Sequence, residues 1–338
     1  MANRPIRILT AATLFSIALI VVSAFTRSAA RTDYILIVNK SDSTLTVVDA
    51  TTREVKGTVP TGQGPHEVSA SPDGHYAYVS NYIGAPGDRG HSITVIDLDT
   101  MKALEPIDLL PNRGPHGSTV SADGKWLWVT TEVSKTINKI DLASRKLVGS
   151  IETGPLSTHM IVLCESKGKS YSTSIQSGAV AIVDIKSGKL IKQLPTAAGA
   201  EGIAISPDNK YVLVSNREAG SVSVIDTATD EIVKTVNTGN YPIRVKVTTD
   251  GKHALVSNMR ANEIAEIDTK TWEVTRRLPV GQNPVGILLS PDGNTAYVAG
   301  TASDKVAIVD LKTWKITGEL SAGREPDGLA YAKRSGKN

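Results

Sequence analysis

Three of the six histidines in this 338-residue chain share one phase of an internal repeat. Counted seven positions back from the aspartate of a recurring Ser-Pro-Asp-Gly type of turn, or from Ser166 where the third repeat lacks that aspartate, that phase holds His66, His116, His159, Glu201, Ile243 and Val285. Asp327 joins it through the proline that precedes it. In a closed ring of repeats, Asp327, His66, His116, His159 and Glu201 form an unbroken arc. Neutral imidazoles with a carboxylate are the donor set of zinc, copper or iron sites, and one ligand per repeat can converge on an axis despite long sequence separation. His66, His116, His159 and Glu201 are therefore candidate metal ligands, and Glu201 and Asp327 candidate catalytic acids or bases. Arg244 directly follows the ring position of its repeat, where it can orient a substrate. Two other readings stay open: a polar ligand pocket without metal, or imidazoles in turns such as Gly64-Pro-His66 and Gly114-Pro-His116 that only tie neighbouring repeats together.

The element that must position this arc announces itself in seven short phrases ending in aspartate: Thr46 to Asp49, Thr94 to Asp97, Asn138 to Asp141, Ala181 to Asp184, Ser223 to Asp226, Ala265 to Asp268 and Ala307 to Asp310. They recur every 42 to 48 residues. A period of about 40 to 50 residues filled with short strand-like runs and turns is that of a β-propeller, one four-stranded blade per repeat. The stretch from Ala200 to Gly239 reads as strands 202–206, 211–215, 221–226 and 231–236, with Pro207 to Lys210 as a tight turn. The expected fold is all-β: a seven-bladed propeller of four-stranded antiparallel blades. Because the repeats begin in a second strand, 34–39, and stop after a first strand, 328–332, the chain ends are expected to share one blade and close the ring.

Tyr78-Val-Ser-Asn81, Leu213-Val-Ser-Asn216, Leu255-Val-Ser-Asn258 and Tyr297-Val-Ala-Gly300, each followed by a Val-Ile-Asp type of strand, resemble the YVTN-repeat β-propellers over nearly all of residues 34–332. The resemblance implies the fold. It leaves function open, because such propellers include surface and periplasmic binding proteins, haem-d1-binding relatives and enzymes.

Propeller topology places the loops between fourth and first strands on the same face as those between second and third strands. Arg113 and Arg324 lie in the former, and Lys40, Arg217, Glu218 and Arg260 in the latter. An insertion from Tyr82 to His91, rich in glycine and proline, is expected to form an irregular flap carrying Asp88, Arg89 and His91. Arg89, Arg113, Arg217, Arg260 and Arg324 thus make a candidate anion-binding rim above the arc, since guanidinium forks pair with carboxylate or phosphate.

The N-terminus reads as an export signal. Arg4 and Arg7 precede an apolar run from Ile8 to Phe25, and Ser28-Ala29-Ala30 offers small residues for cleavage. Residues 1–30 are thus a signal peptide, or an uncleaved N-terminal anchor, and 31–338 a single propeller domain. Both place the protein in the periplasm, at the cell surface or outside the cell, with membrane attachment only if the segment is kept. The single Cys164 permits no internal disulfide and reads as a small buried residue. A net charge of +3 and 4% aromatic content argue against nucleic acid, which would need basic surfaces with stacking platforms. Trp272 and Trp314, at equivalent places after the aspartate phrase, read as outer-turn residues.

Two functions from different classes follow, for a chain expected to act as a monomer. One is a metal-dependent hydrolase or lyase acting on a small anionic molecule, similar in layout to lactonases. The other is a non-catalytic binding protein whose mouth holds a metal, a haem-like cofactor or a protein partner.

Overall fold

The computed structural model describes residues 1–2, 32–154 and 157–334. The chain divides into two compact units, Met1–Arg31 and Thr32–Asn338; apart from Met1 and Ala2, the expected export segment lies outside the described residues. In the second unit, apolar residues alternate along runs of six or seven and pair through antiparallel ladders into seven sheets, the blades of a propeller. We number blades 1 to 7 by the order of their innermost strands, which begin at Pro65, Pro115, Ile161, Ala200, Pro242, Pro284 and Pro326.

Blade 4 illustrates how sequence makes the unit, with strands Ala200–Ile205, Tyr211–Asn216, Ser221–Asp226 and Glu231–Asn237. In its first turn the Ser206 hydroxyl donates to Asp208 at 2.6 Å and accepts the Tyr211 amide at 2.9 Å. Asp208 in turn accepts the Lys210 amide at 3.0 Å. The phrase-ending Asp226 accepts the amide of Ala228 at 2.7 Å, as Asp268 accepts those of Lys270 and Thr271 at 2.8 Å. These aspartates are turn formers, with their carboxylates replacing a backbone acceptor. Four residues after each of the seven comes a left-handed residue: Arg53, Met101, Arg145, Gly188, Asp230, Trp272 or Trp314. The two tryptophans therefore occupy equivalent outer turns, as expected.

The core is divided seven ways. Each buried apolar cluster joins two adjacent blades, as where Leu36 and Val47 of blade 7 meet Ala77 and Val79 of blade 1, or Tyr171 and Ile182 of blade 3 meet Val212 and Val214 of blade 4. Cys164 is buried in that second cluster. Blade 7 is composite: Pro326–Ala332 pairs with Tyr34–Asn39, which leads to Thr44–Asp49 and Val55–Pro60. The register sets Tyr34 against Ala332 and Leu36 against Ala330, so the two chain ends close the ring.

Blade 1 differs from expectation. Its insertion is not an irregular flap but a lengthened hairpin, Tyr76–Ile83 with Arg89–Asp97, in which Ile83 still pairs with Arg89. Gly90 permits this, since a Cβ there would strike the Asn81 carbonyl. The outer strand of the same blade is split into Lys102–Ala103 and Ile107–Asp108, both on the third strand.

Candidate functional site

All the innermost strands except that of blade 3 carry a bulge where they enter the channel. In blade 1, Pro65 pairs with Asn81 and Val68 with Val79, so His66 and Glu67 together oppose one residue; the same slip falls at His116 and Gly117, Glu201 and Gly202, and Ile243 and Arg244. A bulge re-aims side chains, and here it presents the ring residue to the mouth. In blades 2 to 5 the hydroxyl residue near the end of the second strand then reaches the next blade. Thr173 donates to the Glu201 carbonyl at 2.6 Å, Ser215 to Ile243 at 2.9 Å and Ser257 to Val285 at 2.7 Å. Glycine at 117, 202, 286 and 328 lets adjacent strands approach, for a Cβ at each would meet the neighbouring ring residue's backbone.

All seven ring positions line one cavity of about 470 Å³, and the arc from Asp327 through the three histidines to Glu201 is gathered there. A second ring shares it: Lys40, Tyr82, Glu132, Ile175, Arg217, Met259 and Thr301, each directly following the second strand's Tyr-Val-Ser-Asn type of phrase. The same repeat ruler, moved to that position, would have found Tyr82 and Glu132, which sequence reasoning passed over. Tyr241 and Glu67 carried no such signal.

The imidazoles lie in a row. Ring centres of His66 and His116 are 4.8 Å apart, those of His116 and His159 3.8 Å, and Tyr82 flanks His66 at 4.9 Å. His66 Nδ1 lies 2.8 Å from the Gly64 carbonyl, which accepts only a proton donor and so leaves Nε2 as a lone-pair nitrogen. This bond is local to the Gly64-Pro-His66 turn and ties no neighbouring blade. Nδ1 of His116 and both ring nitrogens of His159 are buried without a hydrogen-bond partner. Glu132 and Glu201 stand 3.8 Å from the two nitrogens of His159, and Tyr82 donates to Glu132 at 2.5 Å. Burial holds the His66 imidazole down to about 4, and burial above all pushes His116 and His159 well below the usual histidine range. The three imidazoles are therefore neutral at neutral pH.

Below it lies a buried charge cluster. Arg244 pairs with Glu67 and stands 3.6 Å from Glu201 and 3.9 Å from Asp327. Burial raises the carboxyls of Glu67, Glu201 and Asp327, against the opposing pull of Arg244. Burial works to lower Arg244 itself, but Glu67, Asp327 and Glu201 outweigh it, so the guanidinium stays charged. Arg217 is held by Glu201 at 2.8 Å and Glu218 at 2.7 Å.

Of the five rim arginines, Arg217 alone lines the cavity. Arg113 is paired with Asp88 and Arg324 with Asp42, each at 2.6 Å. Arg89 and Arg260 stack on Tyr82 and Tyr241, at 4.8 and 3.8 Å from the ring centres. The mouth is thus less positive than a count of arginines implies. The donor chemistry of the arc suits a metal, because neutral imidazoles with uncommitted nitrogens are ligands. Its placement is less ready: among the described residues no three His, Cys, Asp or Glu side chains are grouped to hold one. The ring planes of His66 and His116 are tilted by 55° and those of His116 and His159 by 35°.

Residues 34–267 match the family described as lactonase, 7-bladed beta-propeller. The chain belongs to that family. Residues 243–335 of this lactonase-family chain also match the YNCE-like beta-propeller family. Antigen Lp49 of Leptospira interrogans serogroup Icterohaemorrhagiae serovar copenhageni is 27% identical over 179 residues, 51% of this chain and 37% of that protein. The match thus spans little more than a third of that relative's length. Among solved structures, hydrazine synthase of Kuenenia stuttgartiensis superposes with a TM-score of 0.72 at 22% identity, covering 81% of this chain and 91% of that one. A functionally unknown protein from Desulfotomaculum acetoxidans gives 0.77 at 12%, covering 90% and 100%. Dihydro-heme d1 dehydrogenase NirN, in complex with DHE, gives 0.66 at 17%, covering 90% and 76%. At these identities the likeness is one of fold.

Proposed function

We propose that this propeller, of the YVTN-repeat type and exported by its N-terminal segment, binds a small lactone or carboxylate in the channel mouth and opens the lactone by hydrolysis. The observation that carries the reading is His159, whose two ring nitrogens are buried in the cavity wall without partners. Leaving a buried polar atom unpaired costs about 1–3 kcal/mol, a cost that a ligand in the mouth would remove. In this reading Glu201, made more basic by burial, takes a proton from water as the water oxygen adds to the lactone carbonyl carbon. Arg217 and Arg244 offset the charge on the carbonyl oxygen. Asp327 helps hold Arg244. The ring C–O bond then breaks, and the departing oxygen takes the proton from Glu201, leaving a hydroxy acid.

The partner-free imidazoles also support a second reading with a divalent metal, zinc, copper or iron, on His66, His116, His159 and Glu201. A bound metal would lower the pKa of its water and polarise the carbonyl. The Glu132–Tyr82 pair would orient His159 in either case.

A panel of γ- and δ-lactones assayed with the monomeric protein, alongside elemental analysis of untagged material, tests both readings. Glu201→Gln should lower turnover at least about a hundredfold if Glu201 is the base. Binding of the hydroxy acids with no turnover would make the chain a non-catalytic binding protein. Stoichiometric metal that persists in a His66→Ala, His116→Ala, His159→Ala variant would exclude the ligand set.

A further inference from the structure

One shielded carboxylate of the mouth has no counter-charge. Glu201 is paired with Arg217 and Arg244, Asp327 stands beside Arg244, and Glu325 lies at the exposed rim. Glu132, whose side chain is 19% exposed, makes no ion pair with a lysine or arginine among the described residues. Its Oε2 accepts the Tyr82 hydroxyl at 2.5 Å, and its Oε1 lies 3.8 Å from Nδ1 of His159. Arg89 stacks on Tyr82 but does not line the mouth.

His159 does not supply what Glu132 lacks. At 3.8 Å the imidazole is out of hydrogen-bond reach of both Glu132 and Glu201, and its two nitrogens are buried without partners. A neutral imidazole carries a single N–H, so in one of these two gaps a lone pair faces a carboxylate. A group that donates more than one hydrogen satisfies both acceptors. On the Glu201 side guanidinium donors are already at hand, whereas on the Glu132 side the Tyr82 hydroxyl is spent on Oε2. A carboxylate largely kept from water, and given no cation by the chain, is complementary to a positively charged group on a ligand.

We infer that the gap between Glu132 and His159 takes a protonated amine, on the same molecule whose lactone or carboxylate group meets Glu201, Arg217 and Arg244. The substrate class is then an amino-substituted lactone and its amino hydroxy acid. Because a single imidazole separates Glu132 from Glu201, the amine belongs on a carbon near the carbonyl. This rests on the reading of the mouth given above, and it adds a positive charge on the ligand which that reading does not require.

The test is calorimetric binding of 4-hydroxybutanoate, 2,4-dihydroxybutanoate and 2-amino-4-hydroxybutanoate to the full chain, with EDTA present so that no ligand acts by chelating a metal. The amino acid should bind about tenfold to a hundredfold more tightly than either analogue, the range for a hydrogen bond between charged groups. Glu132→Gln, which keeps the side chain's shape and an acceptor for Tyr82 but loses the charge, should abolish most of that preference. Melting temperature checks that the variant is folded, and if it is not, the wild-type series still decides. Wild-type binding of the amino acid no tighter than that of the dihydroxy acid overturns the amine site and leaves the mouth standing, as does a preference that survives in Glu132→Gln. No binding by any member overturns both.

Discussion

Arg244 of blade 5 and Glu67 of blade 1, 177 positions apart in the chain and on blades that are not neighbours, form a buried ion pair across the channel. Each follows a ring residue at a bulge, and without Arg244 the buried Glu67 would lose its ion-pair partner. This pair makes the floor of the mouth, on which Glu201 and Asp327 also converge.

Removing one partner should therefore cost far more than removing both. Arg244→Met is expected to destabilise the fold by about 3–5 kcal/mol, because it strands Glu67 among Asp327 and Glu201. The double variant with Glu67→Met should recover much of that loss. A double-mutant cycle by urea unfolding checks it, and additive losses would mean that the pair is not coupled.

Acid should reveal the neutral imidazoles. The His66 imidazole is held at about 4 in the fold, below its unfolded value near 6.5. A depressed folded value means that the unfolded chain takes up the proton first as pH falls. Its contribution is full above about 6.5 and is lost as pH drops toward 4, amounting to up to about 3 kcal/mol. Glu67, Glu201 and Asp327, whose carboxyls are raised, work in the opposite direction. Comparison with His66→Asn isolates the imidazole. In chelator-treated protein, the stability advantage of wild type over this variant should shrink between pH 7 and pH 4. A constant difference would contradict the neutral, buried ring.

Ring closure can be cut at its last step. Deleting the residues after Arg324 removes strand Pro326–Ala332, exposes the edge of Tyr34–Asn39 and takes Asp327 from the mouth. The truncated chain should lose the single cooperative melting transition and tend to self-associate through the bared edge. Calorimetry and size-exclusion chromatography read both effects, and a truncated chain that melts as hot and as sharply as the full one would refute closure by this strand.

Much of this molecule is written in local pattern. Alternation, Ser-Pro-Asp-Gly turns and a period of 42 to 48 residues specify strands, blades and their number, because every blade except the composite blade 7 is built from contacts within a few dozen residues. The aspartate phrases mark turns for the same reason, and the ring phase of His66, His116, His159, Glu201 and Asp327 follows from repetition. Pairing across the ring has no such signature. That Arg113 and Arg324 are neutralised by Asp88 and Asp42, that Glu132 and Glu201 flank His159, and that Arg244 meets Glu67 depend on where seven separately specified blades bring their inner edges. Only closure of the ring decided which charges were matched and which nitrogens were left facing the mouth, because electrostatics and hydrogen bonding act through distances of a few ångströms and take no account of separation along the chain.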